Sequence, residues 1–487
     1  MIRYITLFCL ALLTAFGCAN DSSSDKLVNV ILINIDDLGW ADLSVQGSTY
    51  YETPHIDGLA SAGIRFTDAY AAASVCSPTR SAIMTGRYPA RIGITDWIRS
   101  EFQEGTIPED RRNPTEYVVE PDKKLQTPPN PLWMEHDEVT VAEVLKEAGY
   151  TSAHIGKWHL GTEDWYPETQ GFDINIGGTD FGQPPSFFDP YYNESQGYIE
   201  NLQSREEGEY LTDREADEAI KFIRDHQDSP FFLHLAHYAV HTPIQAKQEL
   251  IARFEAKPTT NQKDSEYAAM VYSVDQAVGR IVHELKNLEL IDHTLIIFTS
   301  DNGGLIDQNG DRYTDNAPLR SGKGYPYEGG IRVPLIISWP QQVEPAQVSY
   351  QPVLSIDLMP TIIEAAGAQM PPDRQIDGLS LLSHITTDVA GPLDREELIW
   401  HFPHYRVGLT IRPYSIIRSG NWKLIRWWEG PGFELYNLRE DIGEQNNLAD
   451  EMPDKVNDLN ALLLEKLRDM DAKLPKENPE YEGAIML

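Results

Sequence analysis

From Val28 to Ile35 the chain reads Val-Asn-Val-Ile-Leu-Ile-Asn-Ile and then stops at Asp36-Asp37. A near-continuous β-branched run of this kind marks a strand buried on both faces, and such strands belong to parallel sheets covered on each side. Pro230 to Ala236 and Thr294 to Ser300 repeat the pattern, and Thr151 to Ile155 reads as a shorter strand. Helices separate them. Thr140 and Glu143 form a capping box ahead of apolar positions 141, 144, 145 and 148, with Gly149 closing the segment. Ser265 to Asn287 has helical periodicity through Ala269, Tyr272, Ala277, Ile281 and Leu285. Repeated strand, helix, strand units imply an α/β fold whose sheet is flanked by helices. Ligands in such folds gather outside the carboxyl ends of the strands.

The C-terminal part reads differently. A helix is expected from Ser355 to Ala366, strands at Tyr414 to Arg418 and Trp422 to Trp428, and a closing helix from Asp454 to Leu474. Turn signals at Ser419-Gly420-Asn421 and Pro431-Gly432 point to a small antiparallel sheet. The expected organisation is a larger domain over residues 27–345 and a smaller α+β domain over residues 346–487.

The N-terminus is read as a leader. Residues 1–17 carry one charge, Arg3, and an apolar core ending in Ala15-Phe16-Gly17, which fits a secretory signal too short to span a bilayer. Cys18 precedes a polar leader over residues 18–26 and reads as the lipidated cysteine of a bacterial lipoprotein. Phe16 is unusual beside a cleavage site, so plain secretion is the alternative. The protein is therefore expected in the periplasm or on the outer-membrane or cell surface, with a lipid anchor as its only link to a membrane. A net charge of -35 argues against a nucleic-acid partner. It fits either a cation site or solubility in a salty medium.

Cys76 is the one cysteine left once Cys9 and Cys18 are assigned to the leader. An exported chain normally uses cysteines in pairs, so an unpaired one is either a buried structural thiol or chemistry in its own right. It stands in Cys76-Ser77-Pro78-Thr79-Arg80 and is followed by Thr85-Gly86. Two strand ends carry oxygen ligands, Asp36-Asp37 and Asp301-Asn302. Each alone is an ordinary turn or helix cap; together they suit a hard divalent cation such as Ca²⁺. Cations sit at other strand ends: Lys157 and His159, which share a face, His241, and Lys323 between two glycines.

These segments resemble the type I, formylglycine-dependent sulfatases of the alkaline-phosphatase superfamily. Cys76 to Gly86 fits the first family signature and Gly149 to His159 the second, with Asp36-Asp37, His241, Asp301-Asn302 and Lys323 in the expected order. The resemblance extends to Ile376 to Leu381 and Glu434 to Asp441. It implies a large mixed, mostly parallel sheet, alkaline-phosphatase-like, and a sulfuric ester hydrolase. It also implies that a formylglycine-generating enzyme oxidises Cys76 to 3-oxoalanine (Cα-formylglycine), whose hydrate attacks sulfur. The sulfated enzyme then expels sulfate when the second hydroxyl loses its proton.

By the same resemblance Asp36, Asp37, Cys76, Asp301 and Asn302 hold one Ca²⁺, with Mg²⁺ the alternative. Arg80 and Lys157 hold the residue 76 hydroxyls and His159 accepts a proton. Lys323 and His241 contact sulfate, and His241 protonates the leaving alcohol, which asks for a pKa near or above the ordinary ~6.5. Some phosphodiester and phosphonate monoester hydrolases share the nucleophile and stand as the alternative, as does a non-catalytic glycan-binding lipoprotein. For substrate, export and acidity point to a marine bacterium acting on sulfated oligo- or polysaccharide of the ulvan, carrageenan or fucoidan type, ahead of host glycosaminoglycans. His401 to Arg406, Trp97, Arg99 and the aromatics Phe187, Phe188, Tyr191 and Tyr192 are candidates for the pocket rim; each aromatic can equally be core.

Overall fold

The computed structural model describes residues 27–98, 108, 111–306, 313–386, 393–406 and 411–482. The expected leader with Cys9 and Cys18, and Arg99, lie outside them. The large sheet contains, in chain order, β1 (Asn29–Ile35), β2 (Ile64–Phe66), β3 (Thr151–Gly156), β4 (Ile174–Ile176), β5 (Phe231–His237), β6 (Thr294–Ser300), β7 (Leu335–Ser338) and β8 (Gln347–Ser349). They lie in the order β8-β2-β7-β6-β1-β5-β3-β4. β7 runs antiparallel to both neighbours, and the other pairings are parallel. β1 is central and wholly buried, as its unbroken apolar run requires.

Alternate residues of β1 supply two separate cores. Ile31, Ile33 and Ile35 pack with Leu233, Leu235, Ile296 and Phe298 beneath the helices Leu211–Asp225 and Ser265–Asn287. Val30 and Leu32 face the other way, with Phe232, Leu295 and Ile297, towards α1 (Cys76–Thr85), α2 (Val141–Glu147) and α3 (Leu358–Ala365). α2 begins with the expected capping box: the Thr140 hydroxyl accepts from Glu143 N, and Glu143 accepts from Thr140 N at 2.7 Å. Among the described residues no helix is long and apolar enough to cross a membrane.

A second, antiparallel sheet is formed by β9 (Glu397–Phe402), β10 (Tyr414–Ser419), β11 (Trp422–Trp427) and β12 (Phe433–Asn437), each pairing with the next. It shares a third core with α4 (Pro453–Asp469) through Ile416, Leu424, Leu435, Leu459 and Leu463. Residues beyond 345 also pack with the large sheet. β8 still belongs to the large sheet, and α3 buries Leu358, Met359 and Ile362 in that sheet's second core. Gln347-Val348-Ser349 is a short edge strand with no readable apolar pattern, which is why the sequence hid it. The closing helix also ends earlier than expected, at Asp469, before Asp471 turns left-handed (φ 54°).

Candidate active site

The carboxyl ends of β1 and β6 lie side by side, Ile35 opposite Ser300, so Asp36-Asp37 and Asp301-Asn302 leave the sheet together. Asp37 has a left-handed backbone (φ 62°), a conformation that Asp tolerates better than most residues. Its N–H donates to Asp301 Oδ1 at 3.2 Å, and its Oδ1 accepts from Asn302 Nδ2 at 2.8 Å. All four side chains are fully buried.

Cys76 is the first residue of α1, capped at its far end by Gly86 in the left-handed region (φ 66°). Pro78 is tolerated because the first helical turn needs no N–H donor. Arg80 lies four residues on, hence on the same face as Cys76. Its Nε donates to Asp301 Oδ2 at 2.8 Å and its Nη1 to the Lys157 carbonyl at 2.6 Å. The Cys76 thiol lies 3.8 Å from Asp36 Oδ1. Burial pushes that thiol up to about 11, against the pull of Lys157 and Lys323, so it is protonated at neutral pH.

Cations close the ring. Lys157, just past β3, donates to Asp36 Oδ2 at 2.7 Å, and Lys323 donates to Asp37 Oδ2 at 2.8 Å and to His241 Nε2 at 2.9 Å. Burial drives Asp36 up to about 8, with Lys157 opposing and Asp301 and Asp37 adding to the rise. For Asp37 the pull of Lys323, His241 and Lys157 outweighs burial and holds the carboxyl below its usual range. His159, also left-handed (φ 60°), donates Nε2–H to the Ile98 carbonyl at 2.9 Å and leaves Nδ1 buried without a partner. Burial, then Lys157 and Arg80, keep it neutral, the state in which it can accept a proton.

His241 departs from expectation. Burial and Lys323 lower it to about 3, and its Nε2 accepts from Lys323 while Nδ1 donates to the Thr242 carbonyl.

The residues fit a divalent cation. One ligand atom from each of Asp36, Asp37, Cys76 and His241 lies within 4.8 Å of the others. Asn302 Oδ1 is buried with no hydrogen-bond partner, an acceptor left over for a metal. Both Asp301 oxygens are engaged, one by Asp37 N and one by Arg80. His241 enters the cluster although its sequence context placed it on the substrate side.

A cavity of about 180 Å³ opens onto this group, lined by Val75, Cys76, Trp97, His159, Gly182, Gln183, His241, Lys323 and Arg406. Trp97 and Arg406 were expected at the rim; Gln183 and Gly182 had no sequence signal, because isolated loop residues carry no periodicity. The aromatic cluster is not at the rim. Phe187 and Tyr191 are fully buried in the first core, Phe188 packs against it, and Tyr192 pairs with Tyr198. His401 bonds Ser415 and His404 bonds Thr95, so both hold the small sheet and its neighbours in place.

The sulfatase family model matches residues 28–368. The chain belongs to the sulfatase family. This sulfatase also matches the model of the N-sulphoglucosamine sulphohydrolase C-terminal region over residues 322–473. It is 33% identical to a sulfatase of Formosa agariphila, with 90% of this chain and 88% of that one covered. To the N-acetylgalactosamine-6-sulfatase of Mus musculus it is 32% identical over 82% of this chain and 73% of the other. The crystal structure of Ps i-CgsB in complex with k-i-k-neocarrahexaose superposes with a TM-score of 0.74 at 30% identity, covering 94% and 95% of the two chains. The protein is thus a sulfuric ester hydrolase, with the fold the sequence implied.

Proposed function

We propose that this sulfatase removes sulfate from a sulfated carbohydrate of the marine algal type, with carrageenan, ulvan and fucoidan oligosaccharides ahead of glycosaminoglycans, and that residue 76 acts as formylglycine. The observation that carries the reading is the convergence of Cys76, His159, His241 and Lys323 on one cavity, with Asp36 and Asp37 clustered against Cys76 and His241. A related structure, 30% identical, holds a neocarrahexaose, which supports the carbohydrate class.

Hydrated formylglycine supplies one oxygen to attack sulfur and a second hydroxyl whose deprotonation later releases sulfate. A divalent cation, calcium by the hardness of the donors, would be held by Asp36, Asp37, Asn302 and residue 76, with Asp301 behind them, and would supply Lewis-acid stabilisation of developing charge. Arg80 and Lys157 orient residue 76 against Asp36. His159, neutral with Nδ1 unpaired, would accept the proton of the remaining hydroxyl as sulfate is expelled. Lys323 and His241 contact the sulfate, and His241 is the general acid to the leaving alcohol, its protonated form favoured by the negative charge of the bound sulfate. The exported, lipid-anchored state of the mature chain belongs to the same proposal and is read by palmitate labelling at Cys18.

The test is expression with a formylglycine-generating enzyme, an intact-mass measurement, and desulfation assays on defined carrageenan, ulvan, fucoidan and glycosaminoglycan oligosaccharides, with a phosphodiester and a phosphonate monoester alongside. Expected are the thiol-to-aldehyde mass change at residue 76 and sulfate release from an algal oligosaccharide. Full activity with an unmodified thiol overturns the nucleophile, and faster phosphodiester than sulfate-ester cleavage overturns the reaction.

A further inference from the structure

Arg406 follows β9 and is tied back to the chain by its N–H, which donates to the Ile411 carbonyl at 3.2 Å. It lines the same cavity as Cys76, His241 and Lys323. Gly324, the residue after Lys323, has a left-handed backbone (φ 86°), and a methyl group there would collide with Nη1 and Cζ of Arg406. The missing side chain is the space in which the guanidinium lies, directly on the backbone that carries the sulfate-binding lysine.

That guanidinium is unspent. Nη1 is buried with no hydrogen-bond partner, and Arg406 forms no ion pair among the described residues. This occurs in a chain with 75 acidic and 40 basic residues. Arginines in comparable settings are paired: Arg80 with Asp301, Arg91 with Asp377, Arg332 with Glu328 and Asp68, Arg395 with Asp357. The other cations of the site, Arg80, Lys157 and Lys323, all bond the central carboxylates. Arg406 does not, so it serves something beyond that cluster. A buried charged donor without a partner carries an uncompensated desolvation cost, which an anionic ligand removes. The planar fork of Arg suits a carboxylate or sulfate taken by two parallel hydrogen bonds.

We propose that Arg406 reads a second oxyanion on the substrate, placed on the sugar that bears the scissile sulfate or on the sugar joined to it. The preferred substrate class is then a dianionic carbohydrate, disulfated or sulfated and uronic. This rests on the sulfatase reading of the cavity and adds to it the requirement for a second charge. Trp97 and Gln183 line the same cavity and offer a ring face and an amide to the sugar between the two anions.

The test compares kcat/KM of the mature enzyme, Arg406→Ala and Arg406→Lys on four substrates: nitrophenyl sulfate, a monosulfated neutral disaccharide, its disulfated analogue, and a sulfated disaccharide containing a uronate. The wild type is expected to prefer the dianionic sugars. Arg406→Ala is expected to lower kcat/KM on its preferred dianion by about 10- to 100-fold more than on nitrophenyl sulfate, with Arg406→Lys in between because it keeps the charge and loses the fork. Which dianion suffers more distinguishes a sulfate reader from a carboxylate reader. Equal losses on all substrates, which would place Arg406 on the scissile sulfate or in a structural role, overturn the proposal. So does a wild type that cleaves the monosulfated sugar as well as the dianions. A wild type active on nitrophenyl sulfate and on none of the sugars refutes the carbohydrate substrate itself, and one inactive on every substrate despite modified residue 76 refutes the function proposed above.

Discussion

Lys423 on β11 offers the sharpest test of how the two domains are joined. Its ammonium is fully buried, 3.0 Å from Glu328 Oε1 and 2.7 Å from Glu444 Oε1. Glu328 follows the Lys323 loop, and its N–H donates to Glu444 Oε2 at 2.6 Å. Substituting Lys423→Met keeps the volume and deletes the charge. Glu328 would keep Arg332 at 2.8 Å and the Tyr70 hydroxyl at 2.7 Å, whereas Glu444 would lose its cation. Removing one partner of a buried pair costs about 3–5 kcal/mol.

The sign with pH follows from Glu444, which burial raises to about 7 despite Lys423. A carboxyl whose folded pKa lies above its unfolded value holds its proton more tightly when folded, so its contribution to stability falls as pH rises from about 4.5 through 7. Without Lys423 that pKa climbs further, so the penalty should approach the full value at pH 8 and shrink at pH 5.5, where a protonated Glu444 needs no counter-charge. Urea unfolding midpoints of wild type, Lys423→Met and Lys423→Met/Glu444→Gln at the two pH values measure this. Most of the pH 8 loss should return in the double variant, because Gln can still accept from Glu328 N. A pH 8 penalty below about 1 kcal/mol, the same penalty at both pH values, or no recovery would refute the reasoning.

Thr140→Ala should destabilise by about 1–2 kcal/mol in thermal unfolding, since it removes the cap on Glu143 N and leaves the buried Gln170 carbonyl, now bonded at 2.8 Å, without its donor; a change indistinguishable from a surface substitution would contradict it. His241→Ala should lower turnover about 10²-fold or more on sugar sulfates and far less on nitrophenyl sulfate, whose leaving group needs no proton; parallel losses would remove His241 from proton delivery. Chelation should abolish sulfate release and lower the melting temperature, with calcium restoring both by about 2.7 kcal/mol of stability at a hundredfold excess over its Kd; an unchanged melting temperature after verified metal removal would contradict the cation site.

The fold was legible where burial imposes a pattern. β1, β5 and β6 are sandwiched between two helical layers and therefore read as unbroken apolar runs; the helix Ser265–Asn287 matches its periodic segment at both ends. The elements that escaped have no such imprint. β2 and β8 are short, and α1 is buried on every side, so its residues show neither alternation nor an apolar stripe. The helix Leu211–Asp225 is amphipathic but begins without a side-chain cap, which removes the usual start signal. Site residues at strand ends, Asp36, Asp37, Lys157, Asp301 and Asn302, could be found because the sheet dictates where strands end. Gln183 sits in a loop whose course is set by tertiary contacts, and Arg406, readable as a rim candidate, owes its seat to Gly324, which is distant in sequence.

An anionic substrate and a chain with a net charge of -35 are compatible because the two charges act over different distances. Surface carboxylates farther than about 8–10 Å from a ligand are largely screened at physiological salt, whereas the buried groups at the site are not. There Arg80, Lys157 and Lys323 face Asp36, Asp37 and Asp301, pairing at 2.7–2.8 Å. When all three carboxylates are ionised, as in holding a cation, three positive charges offset three negative ones, and in that state these side chains alone give the pocket no net pull on sulfate. A divalent cation held by the same carboxylates turns the balance positive, and Arg406, unpaired, adds one further charge on the cavity side. On the function proposed above, anion affinity would therefore be set by what the carboxylates hold, and the acidic residues that oppose the substrate would be the ones that make its binding depend on a metal.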